Sequence, residues 1–297
     1  MDTKTRLLMM YRGYNAAEKL IALNIAIFAI MVLFNAIFRS FNGHAPTFFY
    51  DYFALPNGTE VLYKPWTIIT YAFIHGDFWH LIFNCLILYF TGRIFYNFFT
   101  EKQFITVYTY GILAGAILFL VAYNVLPAFS KHPAILMGAS AAVLAVLAAG
   151  ATYAPNMIIN LFGVLPIKYW ILTVLLVISY VAAIQQGSNV GGNFAHIGGV
   201  LIGYLFVNQL QKGTDIGIGF ERFWDRLVAY FTPKKKSPLK TVYKNKQTKR
   251  STKKASTQTA SEKQRKVDGI LDKISKSGYE SLTKEEKDFL FKAGKEN

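Results

Sequence analysis

Long apolar blocks, separated by short polar or proline-containing segments, occupy most of the first 211 residues of the chain. A helix of about 20 apolar residues is long enough to cross a bilayer. By this criterion the pattern predicts six transmembrane helices, at residues 20–38, 80–98, 104–125, 138–154, 169–184 and 194–210. The predicted fold class is therefore an all-α membrane protein with a six-helix transmembrane bundle.

Small residues dominate the fourth apolar segment and one side of the sixth. Alanine and glycine make up most of residues 138–154, and Gly199 and Gly203 lie four positions apart in the sixth segment. Small residues at this spacing allow helix backbones to approach closely in membranes. We expect the fourth helix to be central and surrounded by protein, with the sixth helix packed against it.

The pattern changes after residue 211 and divides the chain into four parts. We assign residues 1–19 to a cytoplasmic N-terminal segment, 20–211 to the six-span domain, 212–260 to a basic juxtamembrane segment and linker, and 261–297 to a small helical unit. Residues 232–260 carry almost no apolar anchors, which is typical of a disordered linker. In the last part, apolar residues at helical spacing and a capping box of Thr283 and Glu286 predict a helical hairpin.

The positive charge of the chain is concentrated in its C-terminal tail. The 297 residues carry a net charge of +15, and residues 232–297 contain 19 Lys/Arg and 8 Asp/Glu. A basic tail beside the last span favours a cytoplasmic location, and Arg6, Arg12 and Lys19 favour the same side for the N-terminus. Contact of the tail with anionic lipids is compatible with this charge. Nucleic-acid binding is not predicted, because the basic run carries one aromatic residue, Tyr243, and no recognition motif.

Composition also limits other classes of site. Cys85 is the single cysteine, so a disulfide within the chain and a cysteine-based metal site are excluded. No metal or other cofactor is predicted. The first apolar block follows a mixed polar segment and lacks a small-residue cleavage site after it, so we expect it to remain as a transmembrane helix rather than to be a cleaved signal peptide.

Two polar residues lie in apolar segments where a span would ordinarily carry none. Ser140 lies near the start of the fourth segment, and His196 lies near the same end of the sixth. Polar groups in hydrocarbon are costly without partners and are therefore candidates for function. Close packing of the two helices would let the imidazole act as the base for a serine nucleophile. The alternatives are a small residue that packs helices together and a structural or metal-binding histidine, although no carboxylate or cysteine set accompanies His196.

His80 and Asn84 are four residues apart and share one face of the second predicted helix. Each side chain can donate a hydrogen bond to a developing oxyanion, a contribution of about 2.7–4 kcal/mol per donor. The alternative role is ordinary hydrogen bonding between helices, worth about 0.6 kcal/mol on average in membranes.

Several segments together resemble one family. They are HGDFWHLIFN at residues 75–84, GAS at 138–140, AHIGG at 195–199 with Gly203, and PWT and YAF at 65–67 and 71–73. Over about residues 15–211 the chain resembles the rhomboid intramembrane serine proteases. The resemblance implies a Ser–His dyad without an acidic third member, with Ser140 as nucleophile and His196 as general base. It further implies an oxyanion hole formed by His80, Asn84 and the Ser140 backbone N–H, whereas His75 is expected to brace the outer loop.

The resemblance also implies the partners and the location, namely transmembrane protein substrates in a bacterial plasma membrane. Both termini are expected in the cytoplasm, because six spans agree with the charge bias. The C-terminal unit resembles an extension found on some bacterial rhomboids. Two positions depart from the family pattern: Ala141 replaces the usual glycine after the serine, and Leu144 replaces a tyrosine that many members stack on the histidine. Another aromatic residue would then have to cover the histidine, or the base is held less rigidly.

Two other functions compete with proteolysis. A catalytically inactive rhomboid-like protein would bind client helices without cutting them, but inactive relatives have typically lost the serine or the histidine, and this chain keeps both. A transporter is disfavoured, because the predicted spans lack acidic residues for ion coupling and show no repeat.

Overall fold

The computed structural model describes residues 13–130, 132–161, 164–231 and 258–295, together with positions 2, 5, 6, 9 and 11. The chain divides into two compact units, residues 1–234 and residues 235–297. The linker predicted within residues 232–260 lies outside the described residues, except for positions 258–260.

Long helices make up most of the first unit, so the prediction of a helical protein is confirmed at that level. From Ala16 onwards the helices of this unit, long and short, are α1 (Ala16–Asn42), α2 (Phe48–Phe53), α3 (Thr67–Thr70), α4 (Phe78–Phe95), α5 (Glu101–Val125), α6 (Ser140–Tyr153), α7 (Tyr169–Gln185), α8 (Val190–Gln211) and α9 (Ile218–Phe231). Two short 3₁₀ turns, Thr59–Leu62 and Tyr71–Phe73, lie on either side of α3.

Side-chain caps fix where the long helices begin. The Asn15 side chain accepts a hydrogen bond from the Glu18 backbone N–H, and Glu18 completes a capping box before α1. Asp77 caps α4, and Thr100 with Gln103 forms a second capping box before α5. Each cap satisfies backbone N–H groups that the first helical turn leaves free and contributes about 1 kcal/mol. For this reason α4 and α5 begin two and three residues earlier than the apolar pattern predicted.

The helix α6 lies at the centre of the first unit. Every residue from Ala141 to Ala151 is buried, and α6 contacts α4, α5, α7 and α8. The prediction of a central, protein-surrounded fourth helix is confirmed. The small side chains of α6 account for this position, because they allow four neighbouring helices to approach its backbone.

Four of the described helices, α1, α4, α5 and α8, are long and apolar enough to cross a membrane. The other two apolar helices are shorter: α6 has 14 residues and α7 has 17. The chain is therefore an integral membrane protein, and the count of six spans stays a prediction.

Two small antiparallel strand pairs were absent from the predicted all-α fold. Strand β1 (Leu55–Pro56) pairs with β2 (Ile135–Leu136), which places the loop after α2 beside the segment that leads into α6. Strands β3 (Ile158–Leu161) and β4 (Leu165–Lys168) form a hairpin between α6 and α7. Strands of two to four residues have too few positions to produce a recognisable alternation in the sequence.

Two helical segments differ from their predicted extents. Helix α8 begins at Val190, so Gly191 and Gly192, which precede the predicted start of the sixth helix at residue 194, belong to its first turn. Helix α9 lies inside the range assigned to the basic juxtamembrane segment, where no helix was predicted.

The second unit contains the two predicted helices of the hairpin. Helix α10 (Gln258–Ser277) and helix α11 (Lys284–Lys295) contact each other. The capping box is present, because the Thr283 N–H donates to the Glu286 carboxylate at 2.8 Å and the Glu286 N–H donates to Thr283 Oγ1 at 3.3 Å. Lys273 also donates to Glu286 at 2.8 Å, a contact that joins the two helices.

Candidate active site

Ser140 is the first residue of α6, and a sharp turn at Gly138 precedes it. Gly138 has φ of +109°, and a Cβ atom there would lie 2.6 Å from the His80 ring. Its backbone N–H donates to the Tyr71 carbonyl at 2.9 Å, and the Tyr71 hydroxyl donates to the Ile112 carbonyl of α5 at 2.8 Å. The turn before Ser140 is therefore held by a buried tyrosine, and glycine is required there for both conformation and space.

The position of Ser140 at the start of α6 also defines its electrostatic surroundings. The first N–H groups of a helix have no acceptor within the helix, and this end carries the positive part of the helix dipole. Ala139 makes no side-chain cap at this end. Such an end can stabilise a negative charge that develops close to the serine.

His196 reaches Ser140 because α8 packs very closely against α6. A Cβ atom at Gly199 or Gly203 would collide with the carbonyl oxygens of Ala141 or Ala145, so the predicted small-residue contact face is confirmed. As a result His196 Nε2 lies 2.7 Å from Ser140 Oγ. For Nε2 to accept the hydroxyl proton, the proton of the neutral imidazole must reside on Nδ1.

A tyrosine from α7 packs against the His196 ring. The ring centres of Tyr180 and His196 are 4.6 Å apart, with an interplanar angle of 53°. Among the described residues, His196 Nδ1 is buried and has no hydrogen-bond partner. The imidazole is therefore oriented by ring packing and by Ser140, and no carboxylate in the described part of the chain bonds to it.

His80 and Asn84 line the same cavity as Ser140 and His196. Asp77 accepts a hydrogen bond from the His80 backbone at 2.9 Å, and the Asn84 amide donates to the His80 carbonyl at 2.8 Å. An amide carries two N–H donors, so Asn84 retains one for another acceptor. The structure thus brings all four predicted site residues to one cavity.

The cavity has a volume of about 450 Å³ and combines polar and apolar walls. Besides the four residues above, it is lined by Phe83, Ile87, Ile135, Leu136, Met137, Asn189 and Gly192. A few polar groups within an apolar wall are typical of sites that bind a substrate in one orientation. Among the residues that the structure describes, no group of three or more His, Cys, Asp or Glu could hold a metal ion.

His75 lies beside the cavity and does not line it. Its side chain is 1% exposed, and its ring centre is 5.2 Å from that of His80. Burial lowers the pKa of His75 to about 4, with a further lowering from the nearby His80. The His75 ring is therefore neutral and lies against the His80 ring, and its role in bracing the outer loop stays a prediction.

The two departures from the family pattern have separate structural consequences. The Ala141 methyl group faces Gly115 of α5, where a Cβ atom would lie only 2.6 Å away, so the extra methyl occupies space that a glycine provides. Leu144 is buried in a cluster with Leu147, Ala151 and Tyr169. The aromatic ring that Leu144 lacks is supplied by Tyr180, from another helix.

Sequence reasoning assigned no role at the site to three residues, Tyr71, Tyr180 and Asn189, although Tyr71 belongs to the YAF segment. Asn189 precedes α8, lines the cavity and has φ of +42°, which is uncommon for a residue with a side chain. Its position in a Gly/Asn-rich stretch was the available signal. Tyr180 had no such signal, because one aromatic residue on an apolar helix resembles any other.

The fold and the cavity define a class of protein, a helical integral membrane protein that holds a serine and a histidine in contact within its bundle. Residues 63–211, half of the chain, match the family model described as the Rhomboid domain. The chain therefore belongs to the rhomboid family. Residues 258–293 match a second model, described as a family of unknown function (DUF6576).

One curated relative is the RHOMBOID-like protein 12, mitochondrial, of Arabidopsis thaliana. It is 28% identical over 158 residues, which cover 50% of this chain and 47% of the relative. The chain thus spans about half the length of that relative.

Proposed function

We propose that this rhomboid-family protein is an intramembrane serine endopeptidase that hydrolyses peptide bonds of transmembrane substrates. The observation that carries the proposal is the 2.7 Å separation of Ser140 Oγ and His196 Nε2. Family membership supports it, because rhomboid proteins are usually intramembrane serine proteases.

In the proposed reaction Ser140 Oγ attacks the carbonyl carbon of the scissile peptide while its proton passes to His196 Nε2. The imidazolium then gives this proton to the peptide nitrogen as the C–N bond breaks, which releases the new amine and leaves an ester on Ser140. Water next attacks the ester, and His196 takes a proton from the water and returns it to Oγ. The second product leaves as a carboxylic acid.

The oxyanion that forms in both steps needs donors close to Ser140. We assign this role to the Ser140 backbone N–H, the His80 imidazole and the free N–H of the Asn84 amide. Two contacts support the assignment: Gly138 lies against the His80 ring, and Asn84 is held by the His80 carbonyl at 2.8 Å. Donors fixed in this way need no reorganisation when the negative charge develops.

The short length of α6 supports a reaction below the membrane surface. Its 14 residues extend over about 21 Å at 1.5 Å per residue, whereas the hydrocarbon core is about 30 Å thick. If the opposite end of α6 reaches one surface, Ser140 lies well below the other and needs water from the cavity. A substrate helix must also unwind there, so we expect Gly, Ser or Pro near the cleaved bond.

Location and topology belong to the same proposal. Six spans, with α6 and α7 crossing within the bundle, place both termini on one side, and the basic residues at each end of the chain favour the cytoplasm. The resemblance of the C-terminal unit to an extension of some bacterial rhomboids supports a bacterial plasma membrane.

The direct test is cleavage of a reporter transmembrane substrate by the full chain in liposomes. We expect Ser140→Ala and His196→Ala each to abolish cleavage. The control Ser40→Ala, which removes an exposed hydroxyl bonded to its own helix, should cleave normally.

The remaining candidate function is an inactive rhomboid-like protein that binds client helices. Substrate binding without cleavage by the unmodified chain would favour that function, and normal cleavage by Ser140→Ala would refute the dyad.

A further inference from the structure

Helix α9 is attached to the end of the bundle where α5 begins. Lys102, in the first turn of α5, donates to the Asp225 carboxylate at 2.7 Å. The Tyr110 hydroxyl donates to the Ile216 carbonyl at 3.0 Å, and the Tyr110 ring lies 5.8 Å from the Phe220 ring. These contacts hold α9 beside the end of a candidate membrane span.

The side chains of α9 separate into two faces. Charged residues occupy one face at helical spacing: Glu221, Arg222, Asp225 and Arg226. The opposite face carries Phe220, Phe223, Trp224, Leu227 and Phe231, at i, i+3, i+4, i+7 and i+11. Phe220 packs against the bundle, but the far part of the apolar face is open, with Phe223 58% and Phe231 74% exposed.

We propose that α9 is an interfacial membrane helix whose open apolar face lies among lipid acyl chains at the headgroup boundary, with anionic lipids preferred. Two observations identify lipid as the occupant. First, α9 follows the candidate span α8 closely and is bonded to the first turn of α5, so it lies where two spans meet the membrane surface. Second, the Trp, Phe and Leu side chains on its apolar face are typical of helices that lie at that boundary.

The sequence after α9 accounts for the preference for anionic lipids. Residues 232–260 contain ten Lys/Arg and no Asp/Glu. Basic residues beside an interfacial helix attract anionic headgroups, and the attraction weakens at high salt. This inference does not rest on the proposed proteolysis, because an inactive relative would carry the same surface.

The test uses the full chain with Cys85→Ala and one added cysteine in α9. Leu227→Cys lies on the apolar face, and Ala229→Cys, two residues later, lies on the charged side, so the pair differs mainly in orientation. Each cysteine is labelled with a fluorophore, and the protein is reconstituted in phosphatidylcholine vesicles with or without phosphatidylglycerol. Circular dichroism confirms that the two variants are equally helical.

We expect brominated acyl chains to quench the label at 227 several-fold more than the label at 229, and aqueous iodide to show the opposite order. Quenching of the 227 label by bromolipid should rise when phosphatidylglycerol is present, and Lys234→Gln, Lys235→Gln and Lys236→Gln together should reduce that rise. Equal iodide quenching of the labels at 227 and 229 would overturn the proposal. Protection of the 227 label from both quenchers would also overturn it, because it would indicate that protein rather than lipid covers the apolar face. Equal bromolipid quenching in both vesicle types would overturn the preference for anionic lipid.

Discussion

At the scale of single residues, several side chains of the candidate site are held by residues outside their own helices. Ser140 follows a turn anchored by Tyr71, and His196 packs against Tyr180. His80 lies against Gly138, where only a glycine leaves room for its ring. Substitutions at these supporting residues should therefore change the reaction rate, although none of them reacts with the substrate.

Asn84→Ala tests the oxyanion assignment. We expect the kcat/KM for reporter cleavage to fall about 10- to 1000-fold, because one donor to the developing charge is lost. Steady-state cleavage in liposomes measures the effect, and Asn97→Ala, which removes an exposed amide outside the cavity, is the matched control. An unchanged rate for Asn84→Ala would exclude this amide from the oxyanion hole.

Tyr180 provides a test of how the base is oriented. We expect Tyr180→Ala to lower kcat about 10- to 100-fold, because a loosely held imidazole spends less time in line with Ser140. Tyr180→Phe should retain most of the activity, since the contact with His196 is made by the ring. Tyr204→Ala removes an exposed tyrosine from α8 and serves as the control. Equal activity of Tyr180→Ala and Tyr180→Phe would contradict a positioning role.

At the scale of elements, the close approach of α6 and α8 brings the two reactive groups together. The serine and histidine are 56 positions apart in the chain, so no local structure could make them meet. Glycines on α8 lie directly against the alanine backbone of α6, which lets these two helices come close. Gly111 and Gly115 of α5 allow the same close approach on another side of α6.

We therefore predict that Gly199→Val reduces both activity and stability. A side chain there meets the Ala141 backbone, which forces the helices apart and lengthens the contact between Ser140 and His196, and a displacement of about 1 Å is enough to cost about 100-fold in rate. Cleavage rate and thermal unfolding in detergent are the measurements. Gly269→Val adds the same side chain where nothing lies within 4 Å and should leave the rate unchanged. A fully active Gly199→Val would show that this close approach is not needed.

The sequence predicted the elements with a strong periodic or compositional signal and missed those without one. The small-residue faces identified the central helix and its partner, and the motifs identified Ser140, His196, His80 and Asn84. The two-residue pairing of Leu55 with Leu136 could not be predicted, because its register depends on tertiary contacts. Helix α9 was missed for a different reason: its apolar spacing is clear, but its residues were grouped with the basic segment that follows.

At the scale of the whole molecule, the site and the C-terminal unit belong to different compact parts of the chain. All residues that line the cavity belong to the first unit, residues 1–234. The segment that matches the family of unknown function belongs to the second unit, residues 235–297. Units with their own contacts can usually be separated without loss of the other's structure.

Removal of residues 258–297 should therefore leave reporter cleavage in liposomes within about twofold of the full chain, because no cavity residue is removed. The control is the full chain with Gly269→Val, which alters the same unit without shortening it. A loss of activity greater than about tenfold on removal would show that the C-terminal unit takes part in the reaction.

The most direct measurement of the central claim is the site of covalent labelling by a fluorophosphonate probe, read by mass spectrometry of the full chain in membranes. We predict a single adduct on Ser140 that is lost in His196→Ala, because the hydroxyl is nucleophilic only when the imidazole accepts its proton. Labelling of Ser140 that persists at the same rate in His196→Ala, or no adduct on Ser140 in the unmodified chain, would contradict a catalytic dyad.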